Sequence, residues 1–197
     1  MTFDLTPPLI LENSRVELRP LTENDYGALF SFSSSEPQLW DFSLISASGS
    51  ENLKKYIQKA MLEKKEKRAY PFLVYDKLTK QVAGSTRFYN IDFHHQTLNI
   101  GYTWYGKKFQ QTGLNRNCKL LLLSHAFEVW NMERVEFRAD AKNSKSIAAM
   151  LAIGCTHEGT LRNNCRSIST RRDSVVLSIL KSEWEGGLKK QLEGKIY

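Results

Sequence analysis

Apolar and polar residues alternate along RVELRPL (15–21), with Val16 and Leu18 on one side, and this period of two predicts a strand. Thr22 with Asp25 then predicts the start of a short helix that carries Tyr26, Leu29 and Phe30 inward. The serine-rich residues 31–49 read as loop. Ser48 and Glu51 have capping-box spacing. Behind them Leu53, Tyr56, Ile57, Ala60 and Met61 recur at i, i+3, i+4, i+7 and i+8, a helix with one buried face. PFLVYD (71–76) and QVAGSTRFYNI (81–91), joined by the polar KLTK, predict a hairpin. HHQT (94–97) turns the chain into a third strand, LNIGYTW (98–104).

A loop, FQQTGLN (109–115), leads into a helix from about Asn115 to Trp130. Its run at 120–123 is apolar all round, which predicts burial on more than one side. ERVEFRAD (133–140) reads as a strand with Val135 and Phe137 on one face. Residues 144–153 read as a helix, with Asn143 or Ser144 as N-cap and Gly154 as its stop. HEGTLR (157–162) and SVVLSIL (174–180) supply two last strands. The order is strand, two helices, three strands, helix, strand, helix, two strands. That is an α+β (mixed α/β) arrangement, a sheet covered by helices. No repeat or linker divides it, so residues 1–197 read as a single domain.

At 41% hydrophobic and 25% charged, the 197 residues have the composition of a soluble globular domain. MTFDLTPPLILENSRVEL has no basic region and no long apolar core, so neither a signal peptide nor a membrane span is expected. Cys118, Cys155 and Cys165 are odd in number and far apart, which argues against a disulfide framework or a metal site and for a reducing, cytoplasmic setting. The 28 basic and 21 acidic residues leave a net charge of +7. Such a domain suits an anionic ligand, nucleic acid or membrane. Much of the excess lies in KKYIQKAMLEKKEKR (54–68), which reads as a solvated helix face rather than a nucleic-acid reader.

The FQQTGLN loop carries candidate chemistry. A helix start leaves backbone N–H groups unpaired, and small polar residues before it can aim more of them at one anion. Gly113 lets a ligand approach the backbone. By itself this is a weak signal, because many strand–loop–helix junctions carry a glycine.

The order of motifs around the loop resembles the GNAT acetyltransferases, in the branch that includes ribosomal-protein N-terminal acetyltransferases. Gln110-x-x-Gly113-x-Asn115 is similar to that family's Q/R-x-x-G-x-G/A loop. Ala126-Phe127-Glu128, the strand 134–137, the helix start Asn143-x-x-Ser146, the segment 154–162 and Glu183-Trp184 follow in the family's order. The resemblance covers roughly residues 14–185. It implies a mostly antiparallel sheet of about seven strands, splayed between the fourth and fifth, and about four flanking helices. It further implies transfer of an acetyl group from acetyl-CoA to an amine, without a metal.

In that frame Gln110, Gln111, Thr112, Gly113, Leu114 and Asn115 hold the pyrophosphate. Tyr102, Thr103 and Trp104 present backbone to the pantetheine arm and the thioester oxygen. Asn143 and Ser146 contact the cofactor, and Ser146 stands on the leaving-thiolate side. Asn115 replaces the usual glycine or alanine, and remains able to cap the helix. Met150 stands where many members have a tyrosine and cannot donate a proton. For the base, Glu136, Tyr89, Asp92, His94 and His95 are candidates, although Glu136 alternates with the inward Val135 and Phe137. His125 reads as a satisfied core residue. Trp40, Phe42 and Tyr89 are expected at the acceptor mouth.

The acceptor implied is a protein N-terminal amine, with a small-molecule amine such as an antibiotic or polyamine as the alternative. A non-catalytic CoA- or RNA-binding module on the same fold is a third reading. The partners expected are acetyl-CoA and the amine, with no membrane, in a monomer or homodimer.

Overall fold

The computed structural model describes residues 8–168 and 170–196. Residues 1–7, part of the stretch read as leaderless, lie outside the described residues. Eight strands form one sheet: β1 (Leu11–Glu12), β2 (Val16–Pro20), β3 (Ala69–Asp76), β4 (Gln81–Asp92), β5 (Thr97–Tyr105), β6 (Arg134–Asp140), β7 (Thr156–Arg166) and β8 (Arg171–Leu180). Their order is β1-β2-β3-β4-β5-β6-β8-β7, and every pairing is antiparallel except β5 with β6. The mixed α/β reading holds, and the count of about seven strands becomes eight. The extra strand pairs Leu11 with Leu18 and is two residues long, too short to show a period.

The helices are α1 (Tyr26–Ser35), α2 (Ser50–Lys65), α3 (Leu114–Ser124), α4 (Ser144–Ala152), the single turn α5 (Lys181–Glu183) and α6 (Lys189–Glu193). Thr22 donates its N–H to the Asp25 carboxylate at 2.8 Å, which starts a 3₁₀ turn ahead of α1. α1 then runs through Ser31–Ser35, residues read from sequence as loop. The Ser48–Glu51 capping box does not form. Gly49, with φ of 80°, precedes α2, and no side chain caps it. α3 passes into a π turn, His125–Val129. The C-terminal helices were not expected: their inward residues Trp184, Leu188 and Leu192 form a single i, i+4 row, too sparse to signal.

Helices cover both faces. On one, Trp104 donates its indole N–H to Tyr56 of α2 at 3.3 Å, and Arg87 meets Glu63 of α2 at 3.0 Å. On the other, Lys119 of α3 reaches Thr103 at 3.0 Å, and Phe88 lies on His125. The core therefore has two layers, with Phe72, Phe88, Leu122, Phe127 and Phe137 wholly buried. Among the described residues no helix is long and apolar enough to cross a membrane.

Candidate active site

β5 and β6 run parallel and pair only between Thr97–Asn99 and Arg134–Glu136. Beyond that they part. A bulge in β5 accompanies the parting. Ser85 pairs with Trp104 and Arg87 with Gly101, so Thr86 alone faces both Tyr102 and Thr103. Tyr102 has φ of 50°, a left-handed conformation that few non-glycine residues adopt. The added residue bends β5 and leaves Gly101 to Tyr105 with no strand on the β6 side. Backbone groups there need another partner.

The loop at the end of β5 is the second part. Gln111 and Gly113 are both left-handed, with φ of 61° and 83°. Left-handed residues at such spacing are the kind of turn that can gather backbone N–H groups about an anion, and α3 begins at Leu114. The backbone N–H groups of Gln111, Thr112, Gly113, Leu114, Asn115 and Arg116 have no acceptor among the described residues. A Cβ built on Gly113 would meet nothing within 4 Å, so the approach is open. Six free donors at a helix start fit a pyrophosphate.

The loop is braced from behind. Arg15 donates to the Thr112 carbonyl at 3.3 Å and is held by the buried Asp76 at 2.8 Å. Beside the brace lies a cleft of about 490 Å³ between the Asn13–Arg15 turn, the loop and the C-terminal segment. Gln110 folds its side chain back onto the Tyr105 carbonyl at 2.9 Å, so only its backbone faces the loop. Asn115 does not cap α3. It sits one residue inside the helix, and its Oδ1 accepts from the Tyr105 hydroxyl at 3.1 Å, because Gly113 already occupies the cap.

β6 leads to the third part. Since β5 and β6 run the same way, the loop after one and α4 after the other stand at the same end of the opening. Asn143 is the N-cap of α4, its Oδ1 accepting from the Ser146 N–H at 3.0 Å. The Asn143 amide N–H₂ and the Ser146 hydroxyl have no partner among the described residues and remain free to meet a ligand. Met150 is buried.

The face covered by α1 and α2 holds most of the remaining candidates. Tyr89 and Tyr102 meet edge to face at 5.2 Å. Burial pushes Tyr89 up to about 12, which leaves it protonated and unfit as a base. Glu136 also lies on this face and contacts Asn99, Arg134 and Arg138 at 2.7–3.0 Å. Those three partners outweigh its desolvation and keep it below the usual carboxylate range. Asp92 caps the turn by accepting the His95 N–H at 2.8 Å, and His94 and His95 are exposed on that turn. Trp40 is not at the mouth but inside, packed on Trp104 at 5.2 Å, and Trp104 is itself buried, so only its backbone can face the opening. Phe42, 42% exposed, does stand at the surface of the α1–α2 connection. His125 is half-buried against Phe88 and Trp130, its Nε2 has no hydrogen-bond partner among the described residues, and desolvation lowers it to about 4.

Sequence reasoning missed Lys119. It lies one turn after Asn115, buried beneath the opening, with Nζ 3.0 Å from Thr103 Oγ1 and 5.8 Å from the Phe137 ring. Thr103 in turn shares a hydrogen bond with Thr86 at 2.7 Å, so this chain pins both sides of the bulge. Desolvation lowers the amine to about 8. The available signal was a lysine in a leucine run, on the inward side of an amphipathic helix.

Comparisons with known proteins bear on the family and the fold. The model of the acetyltransferase (GNAT) domain family matches residues 15–156. YdaF of Bacillus subtilis (strain 168), described as a candidate ribosomal N-acetyltransferase, is 33% identical over 114 residues, 58% of this chain and 60% of that protein. That match spans less than two thirds of the relative. A crystal structure of a candidate acetyltransferase from T. thermophilus is 32% identical with a TM-score of 0.87, over 98% of this chain and all of that one. RimL, a ribosomal L7/L12 alpha-N-protein acetyltransferase crystallised with coenzyme A, shares the fold at 20% identity and a TM-score of 0.76, over 89% of this chain and 99% of that one.

Proposed function

The chain belongs to the GNAT acetyltransferase family, and on that premise we propose that it moves an acetyl group from acetyl-CoA to a primary amine, that of a protein N-terminus. The observation that carries this reading is the row of six N–H groups from Gln111 to Arg116 that have no partner among the described residues, beside the opening between β5 and β6. The acceptor class is supported by the ribosomal description of YdaF.

When bound, acetyl-CoA supplies the thioester that is broken. The loop donors hold its pyrophosphate. Backbone of Tyr102 to Trp104, left open by the bulge, pairs with the pantetheine arm and turns an N–H toward the oxygen on which charge develops. Asn143 keeps its Oδ1 on the helix and offers its N–H₂ to a pantetheine carbonyl. Ser146, with its hydroxyl free among the described residues, would pass a proton to the departing sulfur and regain one from the water that takes the amine's proton, the part a tyrosine plays where this chain has Met150. The incoming amine gives its proton to water, since Glu136 is held by two arginines and Tyr89 stays protonated.

Free-thiol release from acetyl-CoA with a panel of peptides, beside calorimetric titration of CoA, tests the reading. CoA is expected to bind, and peptides with free N-termini to release thiol while N-blocked ones do not. Absence of CoA binding would overturn the loop assignment; binding without turnover on any amine would overturn the enzyme. Ser146→Ala is expected to lower kcat roughly 10- to 100-fold with little change in the acetyl-CoA KM. A full rate in that variant removes Ser146 from the mechanism.

A further inference from the structure

The face opposite α3 carries a charge that the reading above does not use. Arg172, on β8, is 7% exposed. Its Nε donates to Ser174 Oγ at 3.0 Å, and its Nη1 lies 3.5 Å from the Phe42 carbonyl oxygen. The other arginines of this face each have a carboxylate. Arg87 has Glu63 at 3.0 Å, Arg138 has Glu136 at 2.7 Å, and Arg134 has Glu136 at 3.0 Å as well as Glu158. Arg172 has none among the described residues. A buried guanidinium whose partners among the described residues are a hydroxyl and a carbonyl lacks a counter-charge, so a ligand carboxylate gains more there than at the surface.

Its position gives that charge a use. Arg172 is close enough to Tyr89 and to Tyr102 for its charge to act on both hydroxyls. Tyr102 is the bulge residue, and Tyr89 packs so tightly on Gly101 that a Cβ there would come within 2.7 Å of its ring. Arg172 therefore lies on β8 just past the Asp140–Ser174 pair, at the end toward which β5 and β6 have parted, on the α1–α2 face and against the Phe42 carbonyl.

We propose that Arg172 binds a carboxylate of the acceptor, so that the preferred amine belongs to a molecule with an acidic group close to it. This rests on the acetyl-transfer reading and narrows it away from polyamines and other cationic acceptors. The carboxylate has two possible sources: an acidic side chain next to a peptide N-terminus, or the α-carboxylate of a free amino acid. Tyr89, Tyr102 and Phe42 supply rings for the rest of the acceptor to lie on.

The test compares thiol release for peptide pairs that carry Asp or Asn, and Glu or Gln, at the second or third residue, beside free amino acids and their amides. The acidic member of a pair is expected to have a KM lower by roughly tenfold, the discrimination a charge-assisted contact supports. Preference confined to the peptides places the carboxylate on a side chain; preference for free amino acids over amides places it on the α-carbon. In Arg172→Gln the acid-to-amide KM ratio should rise from about 0.1 to about one, and Arg172→Lys should restore part of the difference. Equal KM values for acidic and amide acceptors in the unaltered protein, or a preference that survives Arg172→Gln, would sink the proposal. The unaltered protein decides the matter even if the variants do not fold. Failure of every amine to release thiol would instead strike the acetyl-transfer reading itself.

Discussion

Lys119 shows how a single residue ties stability to the site. A lysine amine ordinarily titrates at 10.5, and burial brings this one to about 8. Between those values the folded amine is neutral while the unfolded chain still holds the proton. Stability from this group therefore rises as pH goes from about 8 to 10.5, and the penalty for burying the charge is felt in full below 8. Cys118 and Cys155 face the same amine and titrate higher, at about 11 and 12. Comparison with Lys119→Met isolates the lysine. Urea unfolding should show the unaltered protein gaining on the variant by up to roughly 3 kcal/mol across that window. Parallel pH curves for the two proteins would mean that Lys119 is not desolvated as described. The lysine was visible in the sequence, but its burial was not, because only the divergence of β5 from β6 decides what lies over α3.

At the scale of elements, α4 is where sequence and structure agree most closely. An asparagine before SKSIAAMLA reads as a cap because its short amide reaches back to a helix N–H, and it does so here at 3.0 Å. Asn143→Ala should cost about 1 kcal/mol of stability and weaken CoA binding. Asn143→Ser should keep the cap, to within about 0.5 kcal/mol, but still weaken CoA binding, because the N–H₂ donor is gone. Equal CoA affinity in the serine variant would confine Asn143 to capping. The bulge in β5 had no such signature. Tyr102 takes φ of 50° because of what lies opposite it on β4, and no local preference of a tyrosine selects that angle. The capping spacing at Ser48 and Glu51 failed for a related reason: Gly49 takes the turn that a serine cap would need.

For the molecule as a whole, the C-terminal segment packs against α3, the helix that follows the Gln110–Asn115 loop. Leu192 is 1% exposed against the core. Arg116, on the first turns of α3, donates to the Lys195 carbonyl at 3.3 Å, and Lys195 donates to the Ala152 carbonyl at the end of α4 at 3.1 Å. Leu192→Ala should cost roughly 2–4 kcal/mol and lower Tm by about 5–10 °C. Saturating CoA, at about 100 times its Kd, should return roughly 2.7 kcal/mol of that loss if it binds the folded chain alone. A Tm in either protein that CoA leaves unmoved would argue against the loop as its site.

From β2 to β8 the sequence by itself determined the element types, their order and the loop with its glycine, because periods of two and 3.6 and the turn chemistry of Asn143, Gly113 and Gly154 are local properties. It also carried the family resemblance, which is a matter of motif order. What only the tertiary structure decided were properties of neighbours. Strand pairing set the bulge and the opening between β5 and β6. Packing put Trp40 inside and turned the Asn115 side chain onto Tyr105. Burial gave Lys119 its low basicity, and packing left Arg172 without a counter-charge among the described residues. Each of these depends on residues far apart in the chain, and on how much water the fold removes from between them.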